Sequence, residues 1–177
     1  MAGSTLGWML LGLLQAAPLA PAATPATAPA APDCTAAPYS DLAFWVGDWI
    51  VSDTRSAAPV AESRIESRVD GCAVLESFSQ ATGPGGQAIH YLGTSLTAYD
   101  PATRTWRQFY VDSGGHASRF EGEATPGRIV LETHAGARTN RMTIEAQADG
   151  SVRQRGETRA SDADAWTPGY DFTYRRK

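Results

Sequence analysis

The chain is expected to be all-β, an antiparallel up-and-down barrel of about eight to ten strands preceded by a short helical turn. Three observations point there. Apolar and polar residues alternate with period two from Trp49 to the C-terminus. Turn residues interrupt that alternation roughly every 8 to 15 positions. No stretch shows the 3.6-residue periodicity of a long amphipathic helix.

The elements follow in order. Tyr39 to Phe44 fits a turn of helix, with Ser40 placed to cap it. Glycine at Gly47 lets the backbone approach a neighbour closely, and Trp49 opens the first strand. Ile65, Ser67 and Val69 then alternate with Arg64, Glu66 and Arg68, and Val74, Glu76 and Phe78 share one face of the next strand. Gly83-Pro84-Gly85-Gly86 is a loop, and residues 89–99 form a long strand ending at Asp100-Pro101-Ala102-Thr103, a turn with proline at its second position. Trp106, Gln108 and Tyr110 share a face of the following strand, although the opposite set, Phe109 and Val111, is an open alternative. Ser113-Gly114-Gly115 turns the chain into Ser118, Phe120, Gly122 and Ala124. Residues 128–134 form a short strand, then Asn140, Met142, Ile144 and Ala146 alternate with charged neighbours up to the Asp149-Gly150 hairpin. Val152, Gln154, Gly156 and Thr158 follow, and Tyr170, Phe172 and Tyr174 close the pattern. Consecutive hairpins with one polar face close most naturally into a barrel, which removes both sheet edges; a sandwich is the alternative.

The domain organisation follows from composition. The first charged side chain is Asp33, and Leu6 to Leu14 is an apolar run of signal-peptide length, too short for the roughly 20 residues of a membrane span. Ala20-Pro21-Ala22 has the small-x-small cleavage pattern, so 1–22 reads as a signal peptide. Its n-region lacks Lys and Arg, leaving the amino terminus alone to supply the charge, or a start further upstream. Residues 23–38 are Ala, Pro and Thr almost throughout and read as a disordered linker. Residues 39–177 are then one barrel domain, exported to the periplasm or beyond, with no membrane span in the mature protein. The net charge of -4 gives no electrostatic case for nucleic acid or an anionic membrane.

The chain has two cysteines, Cys34 and Cys72, an even count that reads as a disulfide in an exported protein. Asp33 before Cys34 excludes a lipid-anchored first residue, and further zinc ligands are missing nearby.

Several segments together resemble an uncharacterised bacterial family of exported, lipocalin-like (calycin-type) domains. They are Phe44 to Trp49, Gly71 to Glu76, Tyr99 to Thr103, Trp106-Arg107-Gln108, Val111 to Gly115, Asp149 to Gln154 and Tyr174-Arg175-Arg176. The resemblance implies a barrel and no established activity. In calycins a Gly-x-Trp tryptophan plugs one barrel end beneath a basic residue of the last strand. Carried over, this makes Gly47, Trp49 and Arg176, or else Arg175, the barrel-closing set. The segment from Ser161 to Gly169 departs from the family by lacking a glycine-rich turn.

Chemistry-bearing residues are few. Asp112-Ser113-Gly114-Gly115 has the letters of the trypsin-like nucleophile motif, but a hairpin explains it and the rest of that enzyme is missing. His90, His116 and His134 lack metal-ligand spacing, and no phosphate-binding loop is present, so no catalytic residue, metal or cofactor is assigned. Glu76 stands out as a carboxylate between Val74 and Phe78 on an apolar face, where it must be paired, hydrogen-bonded or neutral. It pairs with an internal arginine or tyrosine, anchors a ligand, or serves in acid–base catalysis. If the barrel is hollow, Glu76, Phe78, Trp106, Gln108, Tyr110 and Phe120 are the ligand-binding residues, a wall of rings with a few polar contacts. The expected function is binding of a small, partly apolar molecule in the cell envelope. The alternatives are a filled barrel serving as an interaction or structural module, and an enzyme built at the barrel mouth.

Overall fold

The structure is a computed structural model that describes residues 31–177. The expected signal peptide and the linker up to residue 30 lie outside the described residues. The strands are β1 (Gly47–Asp53), β2 (Pro59–Arg68), β3 (Ala73–Thr82), β4 (Ala88–Asp100), β5 (Thr105–Asp112), β6 (Ala117–Thr125), β7 (Arg128–Ala135), β8 (Arg138–Ala146), β9 (Val152–Arg159) and β10 (Thr167–Arg176). Each pairs antiparallel with the next, and β10 returns to β1, closing a barrel and excluding the sandwich. The seam runs from Trp49↔Arg176 to Asp53↔Phe172.

Side-chain alternation divides inside from outside. On β2 Ala61, Ser63 and Ile65 are buried between exposed Glu62 and Arg64. On β5 Trp106 and Gln108 are each 2% exposed and Phe109 is 55% exposed, so the inward set is the one led by Trp106. Outward charges pair across strands, as where Arg141 donates to Glu157 from both Nε and Nη2, at 3.1 and 2.8 Å.

One end of the barrel is filled. A 3-10 helix, Tyr39–Trp45, lies against that end and buries Leu42 and Trp45. Pro38 rather than Ser40 occupies its N-cap, with no side-chain cap bond, because a single 3-10 turn held by tertiary packing needs little from capping. Trp49 is fully buried; its Nε1 donates to the Trp45 carbonyl at 2.9 Å. The Arg176 guanidinium lies over the indole at 4.5 Å from the ring centre and also donates to the Val46 carbonyl at 3.2 Å. Arg175 points outward to Asp149, so Arg176 is the covering residue. Gly47 has φ +153°, and any side chain there would collide with the Arg176 guanidinium. Ile65, Val74, Trp106, Ile129, Leu131, Ile144, Val152 and Tyr174 complete the core.

Cys34 and Cys72 form a disulfide with Cα atoms 4.8 Å apart, at the filled end just before β3. Residues 33–38, the end of the stretch expected as linker, are held by turns and by this bridge, and Cys34 is buried. The expectation that Val69 continues the inward face of β2 is corrected. Val69 and Asp70 have positive φ values of 52° and 53°, and Val69 is 71% exposed. The tight connection to Cys72 overrides the alternation here, with Gly71 so close to the Cys34 carbonyl that a Cβ would crowd it.

Two stability outcomes follow. Trp49→Ala should cost about 3–5 kcal/mol in denaturant unfolding, as for other buried aromatic deletions, while Arg176→Ala, which removes an outer cover, should cost about 0.5–1. Reducing the Cys34–Cys72 bridge, which joins residues 38 apart, should lower stability by about 3–4 kcal/mol, measured by unfolding with and without reductant.

Candidate functional site

Above the aromatic floor the barrel is hollow. A cavity of about 430 Å³ opens toward the end formed by the β1–β2, β3–β4, β5–β6, β7–β8 and β9–β10 connections. Its lining includes Glu76, Phe78, Gln108, Tyr110 and Phe120 from the set expected on sequence grounds. Trp106 is not part of the lining. It sits below, in the floor, edge-on to Tyr99 at 5.8 Å, where core packing accounts for it. Sequence reasoning missed Tyr91, Met142, Gln154, Tyr170, Phe172 and Tyr174 as cavity residues. All but Tyr91 belong to an alternating set already read from the sequence, so parity carried the signal for them; for the strand of Tyr91 no face had been read.

Aromatic rings form a continuous arc around the cavity. Tyr170 stacks on Phe172 at 5.1 Å, Phe172 on Phe78 at 6.2 Å, and Phe78 meets Tyr91 edge-on at 6.3 Å. The two phenols Tyr91 and Tyr110 are hydrogen-bonded to each other, and Tyr91 donates to Asp112 Oδ2 at 3.1 Å. Asp112 sits in the β5–β6 turn, where its other oxygen accepts from the backbone of Gly114 and His116 and contacts His116 Nδ1 at 3.0 Å. The Asp-Ser-Gly-Gly turn therefore ties the cavity mouth to its lining tyrosines. Ser113 accepts from the Leu92 backbone and has no histidine partner, which fits a turn and not a nucleophile.

Among the described residues Glu76 is the one carboxyl in the lining. It is 5% exposed, and no arginine, lysine or histidine of the described residues belongs to the cavity wall. Ser63 donates to its Oε1 at 2.8 Å and Tyr174 contacts the same oxygen at 3.4 Å. The buried Ser95 hydroxyl lies beyond good hydrogen-bond geometry yet near enough to favour the charge. Burial outweighs these donors and raises the carboxyl pKa from 4.5 to about 7. The tyrosines Tyr91, Tyr110, Tyr170 and Tyr174 are all pushed above the ordinary phenol range, first by burial, and stay protonated. Tyr174 is hydrogen-bonded to Gln154 Oε1, and Gln154 Nε2 turns to Met142 Sδ at 2.8 Å. Gln108 Nε2 donates to Thr97 Oγ1 at 3.0 Å.

A second, shallower depression lies on the outside. The β6–β7 ladder stops at Glu121↔Glu132, so Ala117–Phe120 and Thr133–Ala135 are not bridged. The resulting open groove, about 1030 Å³, is walled by Arg119, Glu121, Glu132 and His134 among others. It is larger than the internal cavity but more open to solvent. Among the described residues no cluster of His, Cys, Asp and Glu could hold a metal ion, and no helix is long and apolar enough to cross a membrane. No protein-family model matches the chain, and no curated protein matches it significantly.

Because Glu76 takes up a proton on folding at intermediate pH, its contribution to stability is fully present below pH 4.5 and is lost as pH rises towards about 7. The loss should be on the order of 3 kcal/mol, since each tenfold change in proton affinity is worth about 1.4 kcal/mol. Carboxylates with lowered pKa, such as Asp53 and Asp149, act in the opposite sense only at more acid pH. Denaturant unfolding at pH 5 and pH 8 should therefore show a fall in wild type that Glu76→Gln abolishes.

Proposed function

We propose that the protein is an exported barrel of the bacterial cell envelope, periplasmic or secreted, that binds a small, partly apolar molecule inside the barrel. The observation that carries this reading is the cavity itself: a mouth-open hollow of about 430 Å³ lined mainly by rings, with a few polar groups turned inward. That volume and composition fall within the range of about 300–1,000 Å³ seen for small-molecule sites. The rigid aromatic floor below supports the reading, because a hollow barrel needs one closed end to retain a guest. The disulfide supports an oxidising compartment. The likeness to exported lipocalin-like domains agrees with both points. A filled barrel serving purely as a structural module has the cavity against it. Glu76, Phe78, Gln108, Tyr110 and Phe120 carry the binding, joined by Tyr91, Tyr170 and Phe172.

Titration of an apolar fluorescent dye into wild type and into Ser118→Phe, which adds a ring at the cavity wall, tests this reading. Wild type should bind with micromolar or better affinity and the filled variant at least about tenfold more weakly. Equal binding to both, or none to either, removes the internal site. Native mass spectrometry of protein isolated from the envelope should show a co-purified small molecule that Ser118→Phe loses.

A further inference from the structure

The identity of the guest is constrained by how the cavity uses its hydrogen-bond donors. Tyr91 gives its single phenolic proton to the Asp112 carboxylate, which can only accept. In the Tyr91–Tyr110 pair the proton must then come from Tyr110, so the Tyr110 oxygen turns lone pairs to the cavity. Tyr174 uses its proton on Gln154 Oε1. Of the four tyrosines only Tyr170, which accepts from Gln154 Nε2 at 3.4 Å, keeps a proton to offer; the other donors left in the wall are the Ser118 hydroxyl and the second amide N–H of Gln80 and Gln108, all neutral. Glu76 Oε1 accepts from Ser63, with the Tyr174 oxygen 3.4 Å away, while Oε2 makes no hydrogen bond among the described residues. A buried carboxylate facing a hollow with no cation in its wall is an uncompensated charge.

We propose that the cavity is a site for an organic ammonium ion on a short apolar body, its nitrogen donating to Glu76 Oε2 among the rings of Phe78, Phe172 and Tyr110. This rests on the binding reading above and names its ligand class. The ammonium supplies donors to Glu76 Oε2 and the Tyr110 lone pairs, and it neutralises the one charge that the described lining leaves unpaired. The stacked arc from Tyr170 through Phe172 to Phe78 offers ring faces, which attract a desolvated cation. Anions are disfavoured twice, by the lone pairs of Tyr110 and because no Arg, Lys or His is among the described lining residues.

The titratable groups facing Glu76 are Tyr91 of β4, Tyr110 of β5, and Tyr170 and Tyr174 of β10, all protonated across the neutral range; Ser63 of β2, Ser95 of β4 and Gln154 of β9 are uncharged. Glu76 is therefore the only one of these groups that changes charge near neutrality, where burial places its titration at about 7. Binding of an ammonium displaces the Glu76 proton into solvent, so affinity rises with pH while the ligand nitrogen stays protonated.

The experiment is isothermal titration of the full chain with three probes that share one apolar body: 2-phenylethylamine, 2-phenylethanol and 3-phenylpropanoate. The amine should bind at least about tenfold tighter than the alcohol, and its affinity should rise about tenfold from pH 6 to pH 8 as Glu76 ionises. The carboxylate should not bind. Buffers of different ionisation heat should report a proton released with the amine at pH 6. Glu76→Gln should remove the amine preference and its pH dependence while retaining alcohol binding, which also shows that the variant folds. Alcohol or carboxylate binding as tight as the amine, or an unchanged Glu76→Gln, overturns the ammonium assignment. If the fluorescent dye enters the cavity but the amine does not bind, this assignment fails alone. If neither binds, the binding reading fails with it.

Discussion

Everything in this fold depends on the seam where the last strand meets the first. The register Trp49↔Arg176 joins β10 to β1 and closes the sheet, leaving unbridged edge only where β6 and β7 part near the mouth. It also brings the arginine over the indole at the point where the barrel must be sealed. Gly47 is part of the same arrangement, since a side chain there would occupy the space of the guanidinium. Because side chains alternate strictly across a pleated sheet, a seam slipped by one residue would turn every inward residue of β10 outward. Tyr170, Phe172 and Tyr174 would leave the interior, taking with them a wall of the cavity and a partner of Glu76.

The barrel divides its interior by height. The lower half is a dry packed core of Trp45, Trp49, Trp106, Ile129 and Leu131, each no more than 2% exposed. The upper half is a hollow whose wall is aromatic but threaded with hydroxyls and amides. Glu76 stands at the boundary. Below it Val74 packs into the core, and above it Phe78 meets the ring arc. A carboxyl at the inward position below, that of Val74, would be enclosed by the apolar core. Its place at the boundary gives Glu76 burial strong enough to raise the pKa towards neutrality, with an oxygen still free to meet a guest.

The face of most residues was legible in the sequence, and the height was not. Alternation placed Glu76, Phe78 and Phe120 inside, and Gln108 and Tyr110 on one of two faces left open for their strand. The same alternation placed Trp106 beside Gln108, and both are indeed inward. Parity cannot distinguish floor from cavity, because height along the axis is set by the stagger accumulated across all the strand pairs. Trp106 therefore lands against Tyr99 in the floor. Tyr170 and Phe172 were legible as inward and escaped notice as cavity residues for the same reason, whereas no face had been read for the strand of Tyr91. Val69 shows where parity itself fails. Its positive φ belongs to a turn forced by the Cys72 connection, and nothing in the run of alternating residues announces where the strand stops.

The rigid and responsive halves of the barrel have different physical origins. The floor is stabilised by burial of indoles and aliphatics, which is insensitive to pH, and by a crosslink that acts through the unfolded chain. The cavity holds a carboxyl that costs stability whenever it is ionised and unpaired. A filled core would have no reason to retain that carboxyl, since a hydrophobic residue of the same size would serve better at neutral pH. Under the proposed binding function a hollow barrel does have a reason, because a complementary group would cancel the cost. Electrostatic strain in the upper half is then tolerable because the sealed lower half carries the fold independently of it. The buried charge gives the binding reading more weight than the cavity volume alone would.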